Sequence, residues 1–145
     1  MDWIENQMDW NEYLSTWGVR LRSLAQGGLY YGEGGEADIP RYQRMQEIAR
    51  ELVEASEAVS DEQVAEMAQN LRQQAASLTE ADADALARQL LGKKEGVAQE
   101  QVRAWGRELA EMADARLEEG LENLYDVGRF EAVRELGAQM RDLDL

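Results

Sequence analysis

The chain has 145 residues, 44% of them hydrophobic, which suits one globular domain able to bury about two-thirds of its unfolded surface. It contains no cysteine and no histidine, which excludes disulfides, thiolate chemistry, Cys-ligated zinc and the commonest general base. Its net charge of −15, with two lysines against thirteen arginines, argues against a nucleic-acid partner, because phosphate binding needs clustered cations.

Apolar spacing and chain breakers imply six helices and no strand, so the expected fold class is all-α. The first helix starts at Asp2 or Asp9 and runs to Ala25, with Trp3, Trp10, Trp17 and Leu24 recurring every seven residues. Such a heptad of large aromatics usually lies across a core or a subunit seam. Trp3 and Trp10, ahead of the main pattern, are therefore the expected contact of a homodimer. A glycine-rich stretch, "LAQGGLYYGEGGEADIPRY", interrupts the helices next, and Gly27 and Gly28 are expected to end the first one through positive φ.

Asp38 can cap the second helix, with Pro40 in its first turn and Tyr42, Met45, Ile48, Ala49 and Leu52 on its buried stripe. Arg41 is placed to reach loop carbonyls or a carboxylate. A capping box, Ser60 to Gln63, opens the third helix, whose inner stripe is Val64, Met67, Leu71, Ala75 and Leu78. Thr79 caps a short fourth helix carrying Leu86, Leu90 and Leu91, which Gly92 ends. Val102, Trp105, Leu109, Met112 and Leu117 mark the fifth, and Val127, Phe130, Val133, Leu136 and Met140 the sixth. No apolar run approaches the roughly 18 residues of a membrane span, and "MDWIENQMDW" lacks a leader's basic and apolar regions. A soluble, cytoplasmic protein with no membrane partner is expected.

An internal repeat emerges when the sequence is slid against itself by 88 positions. Residues 17–52 lie on 105–140 without a gap, with nine identities over 36 positions. Trp17 meets Trp105, Gly18 meets Gly106, Asp38 meets Asp126 and Arg41 meets Arg129. A shared helical pattern would give the apolar pairs but not the Trp-Gly, Asp and Arg pairs in register. The expectation is a single domain, 1–145, in which two helix-loop-helix hairpins pack about a pseudo-two-fold axis and 60–95 spans between them. The second copy reads "ARLEE" where the first has Gly27 to Tyr31, so helix is expected to continue there to about residue 120.

Residues 14–53 resemble the small helical domain at the N-terminus of Nudix hydrolases that act on X-linked nucleoside diphosphates. The residues carrying the resemblance are Leu21, Ala25, Gln26, Gly28, Leu29, Tyr31, Asp38, Arg41, Tyr42, Ile48 and Ala49. It implies an accessory, non-catalytic role through protein contacts, with a hydrolase domain as one possible partner. "RELAE", Arg107 to Glu111, imitates the centre of the catalytic Nudix signature, but Lys93, Gln99 and Met112 stand where its glycine and two of its acids belong. No catalytic residue is therefore assigned, and no cofactor.

Tyr30, Tyr31, Arg41 and Tyr42 are the candidate ligand- or partner-binding residues, since two adjacent tyrosines cannot both face the core. Trp17, Gly28, Asp38, Trp105, Asp126 and Arg129 are expected to be structural. Two alternatives follow from the acidity. "EEGLE", with Glu118, Glu119 and Glu122, resembles half of the Mg²⁺ site of MazG-type nucleotide pyrophosphohydrolases, whose second half would be an E-x-x-D on a facing helix. "EMAD", Glu111 to Asp114, lies on the same helix instead. An acidic mimic of nucleic acid is the other, although here the acids are interleaved with arginines.

Overall fold

The computed structural model describes residues 9–32, 35–59, 61–92 and 96–143. In chain order they form α1 (Trp10–Tyr31), a 3-10 turn (Gly35–Ala37), α2 (Ile39–Ser56), α3 (Asp61–Gln74), α4 (Glu80–Leu91), α5 (Gln99–Glu119) and α6 (Leu124–Arg141). No strand occurs among the described residues, and the fold is an all-α bundle. Packing divides the chain into two compact units, Met1–Ser56 with Val97–Leu145, and Glu57–Gly96.

In the first unit, α1 and α2 form one antiparallel hairpin and α5 and α6 another. Their stripes meet in one buried cluster that includes Leu14, Trp17, Leu21, Met45, Ile48, Leu52, Val102, Trp105, Leu109, Phe130, Val133 and Met140. Each large side chain buried there contributes about 1.5–3 kcal/mol, so this cluster is the main source of the unit's stability. Asp9 starts α1 by accepting the Glu12 amide at 2.8 Å. The alternative start at Asp2 lies outside the described residues, as do Trp3, Ser60, Lys93 and Lys94.

Gly27 and Gly28 do not end α1, which continues through them to Tyr31. Positive φ occurs at Gly35, Gly92 and Gly120 instead. The two glycines serve close approach rather than chain reversal. A Cβ on Gly28 would lie 2.2 Å from the Tyr42 ring, and one on Gly27 would lie 3.2 Å from Arg129 Nε. α5 runs through "ARLEE" to Glu119 and stops at Gly120, where φ is +89°.

The second unit is a shorter hairpin of α3 and α4. Thr79 Oγ1 caps α4 by accepting the Asp82 amide at 3.1 Å, and Gly92 follows its end with φ +91°. Its inner face differs from the expected stripe. Val64, Ala83 and Ala87 are buried, Met67, Leu71, Leu78, Leu86 and Leu91 are half-buried, and Leu90 is 60% exposed. Alanines four apart occupy the contact line and the leucines flank it. Gln74 ends α3 before Ala75, which is exposed.

Candidate functional site

Two carboxylates, Asp38 and Asp126, are buried where the two hairpins of the first unit meet. An unpaired buried carboxylate would lose several kcal/mol of hydration, so the partners decide whether the junction is tolerable. Asp38, just ahead of α2, accepts from Arg116 of α5 through Nε at 2.7 Å and Nη2 at 3.2 Å. It also accepts from Arg41 Nη1, one turn on, at 3.0 Å. Asp126, in the first turn of α6, accepts from Arg129 Nη1 at 2.8 Å and from the Tyr42 hydroxyl of α2 at 3.1 Å. Each acid thus has one donor from its own helix and one from the other hairpin.

The guanidiniums also close chain ends. Arg41 Nη1 donates to the Ala37 carbonyl at 2.8 Å, and Arg116 Nη1 donates to the Gly120 carbonyl at 3.1 Å. Asn123 Oδ1 starts α6 by accepting the amides of Tyr125 and Asp126 at 2.9 and 3.1 Å. Burial, together with the charge of Asp126, pushes the Tyr42 hydroxyl well above its ordinary pKa, so it stays a donor at any physiological pH. The hydrogen bond to Asp38 likewise raises Arg116. At the centre, the rings of Tyr42 and Phe130 stack with centroids 5.3 Å apart and a 31° tilt.

The four candidate binding residues do not line one pocket. Tyr30 and Tyr31 are 82% and 77% exposed, whereas Tyr42 is a core residue and Arg41 belongs to the ion-paired junction. The recess nearest to them, about 220 Å³, is lined by Gly28, Gly32, Gly35, Asp38, Ile39 and Tyr42 among others. That is smaller than the roughly 300–1,000 Å³ of ordinary ligand pockets. Trp17 and Trp105 are buried in the core, and Trp10 packs half-buried against it. The expected cap at Asp38 holds two guanidiniums with its carboxylate.

Among the acids of the alternative metal reading, Glu119 pairs with Arg116 at 3.4 Å and Arg41 at 3.7 Å, while Glu118 and Glu122 are exposed. Asp114 pairs with Arg134 at 3.2 Å. Among the described residues, no group of three or more acids is placed to hold a metal ion.

Sequence reasoning missed Arg116, whose signal was its position opposite Gly28 in the repeat. It also missed Leu124 and Tyr125, 82% and 79% exposed at the start of α6. A Cβ on Gly32 would lie 3.1 Å from Asp126 Oδ1, so the end of α1 and the start of α6 are neighbours.

Residues 12–68 match the family described as the UDP-X-like, N-terminal oligomerisation domain, Nudix_N. Over this segment the chain is similar to the Nudix_N family. The segment takes in α1 from Glu12 onward, α2 and the first part of α3, and it contains both Asp38 and Tyr42 of the junction. The α5–α6 hairpin lies outside the match. Neither the comparison with curated proteins nor that with solved structures finds a match. No helix of the described residues is long and apolar enough to cross a membrane.

Proposed function

We propose that this chain is a non-catalytic helical interaction protein that works through protein–protein contacts, including contacts with its own copies. The observation that carries the reading is that 12–68 match an oligomerisation domain. Supporting it, Tyr30 and Tyr31 at the end of α1 and Leu124 and Tyr125 at the start of α6 leave four large side chains exposed on neighbouring helix ends. Aromatic side chains of this kind are enriched at protein interfaces and their hot spots. The second hairpin is a diverged copy of the first, and a separately encoded Nudix hydrolase domain is a natural further partner.

Light scattering and sedimentation across a range of concentrations test this reading. The expected result is a mass above that of one chain, rising with concentration and with salt, because copies carrying −15 each repel one another at low ionic strength. Tyr30→Ser with Tyr125→Ser should lower that mass. A chain that stays monomeric throughout and releases phosphate from nucleotides with Mg²⁺ overturns it.

A further inference from the structure

We infer that the face of α2 bearing Asp38 and Tyr42 is the pairing surface of the Nudix_N segment, and that here the α5–α6 hairpin occupies it in place of a second copy. The inference goes beyond the proposed function and rests on its reading of 12–68 as a self-pairing module; with that face filled within the chain, contacts between whole chains fall to the exposed Tyr30, Tyr31, Leu124 and Tyr125.

A two-fold interface has a recognisable signature: residues on the axis meet their own equivalents, and contacts off the axis come in reciprocal pairs. Tyr42 and Phe130 are equivalent in the 88-residue repeat, and their rings stack on each other. α1 packs on α6 and α2 packs on α5, which is the reciprocal exchange. Asp38 and Asp126, also equivalent, each take a donor across the junction.

The departures from symmetry compensate one another. The Tyr42 ring lies over Gly28, where no Cβ fits, and carries its hydroxyl to Asp126. Phe130 has no hydroxyl to offer Asp38. At the position equivalent to Gly28 stands Arg116, which supplies the missing donor. Glycine with tyrosine on one side answers arginine with phenylalanine on the other, so each buried acid keeps one cross-hairpin partner. A second copy of the first hairpin would bring its own Tyr42 hydroxyl to Asp38, so the face is self-complementary.

The test rewrites the second hairpin with the first hairpin's residues, in the full chain at fixed low concentration. Arg116→Gly alone should lower the melting temperature by roughly 10 °C, because a buried carboxylate loses its bidentate partner. Adding Phe130→Tyr should recover more than half of that loss, while Phe130→Tyr alone should recover nothing and lower the melting temperature. If Arg116→Gly fails to fold, the double variant should regain helical circular dichroism and a cooperative melt. A double variant that melts no higher than Arg116→Gly, or stays unfolded, overturns the inference. Because melting at a concentration low enough to keep the copies apart reads coupling within one chain, this outcome is distinct from the mass measurements that test self-association.

Discussion

The two hairpins of the first unit are pressed together at different ends. In α5–α6 the tight point is the crossing. A Cβ on Gly106 would lie 2.4 Å from the Arg141 amide nitrogen and 2.6 Å from the Gly137 carbonyl oxygen, so backbone rests on backbone. In α1–α2 the equivalent Gly18 faces Ala49 instead of a second glycine, and its Cβ would first meet a Val53 methyl, at 2.7 Å. The first hairpin is tight at its loop end, where the Tyr42 ring covers Gly28 and the Arg129 guanidinium passes Gly27. There the second hairpin carries Ala115 and Arg116. Glycine therefore marks where a neighbour must come close, and the neighbour differs from one hairpin to the other.

The largest expected effect is at the loop end. Gly28→Ala would drive a methyl into a ring that is held on one face by Phe130 and at its tip by Asp126, so the ring cannot withdraw without unpairing a buried acid. A loss of about 3 kcal/mol or more in urea unfolding is expected. Next comes the crossing. Gly106→Ala meets backbone atoms that cannot move separately from their helix, and should destabilise by about 2–3 kcal/mol. Gly18→Ala meets a Val53 methyl at 2.7 Å, with the Ala49 carbonyl oxygen and Leu52 Cβ each at 3.1 Å, and gains about 1 kcal/mol of helix propensity, so its net loss should be about 1 kcal/mol, smaller than at Gly106. Equal losses at 18 and 106 would break the comparison. Tyr42→Phe, which makes position 42 like position 130, removes one of the donors to Asp126 and leaves Arg129. It should lower stability by about 1–1.5 kcal/mol with little change in the core.

Helix positions and the buried stripes were legible because apolar residues recur with the helical period, and Thr79, Gly92 and Gly120 mark ends by local chemistry. Gly27 and Gly28 were misread for a physical reason. A glycine signals either left-handed backbone or close approach, and the ring and guanidinium that approach them come from distant parts of the chain. The same holds for the site. Asp38, Asp126 and Arg129 could be named from the repeat, but Tyr42 reads from the sequence as a stripe residue and a binding candidate, and its hydroxyl bond to Asp126 spans 84 residues. Arg116 was visible only as a mismatch within the repeat. In the second unit, counting leucines misplaced the contact line, because Ala83 and Ala87 bring the helices close enough to leave the larger side chains at the margins.

The smallest effect concerns a contact that the repeat does not duplicate. Arg44 of α2 donates to both carboxylate oxygens of Glu108 on α5, with Nη2 to Oε1 at 2.9 Å. The equivalent positions hold Ala132 and Arg20, so only one side of the junction has this pair. The Arg44 hydrogen bonds hold the Glu108 carboxyl below its usual range, and the same bonds raise Arg44. A carboxylate whose folded pKa is depressed adds stability that is fully present above its unfolded value, about 4.3, and lost as pH falls through the folded value. Both side chains are about two-fifths exposed, 38% and 40%, so solvent screening keeps the contribution below about 1 kcal/mol. Glu108→Gln should thus be slightly less stable than the native chain at pH 7, with the gap closing as pH is lowered below the unfolded value and as salt is raised. A gap that stays constant across that range would mean that the pair's charge is not what joins α2 to α5, and that the apolar contacts and the Asp38–Arg116 bridge hold that side unaided.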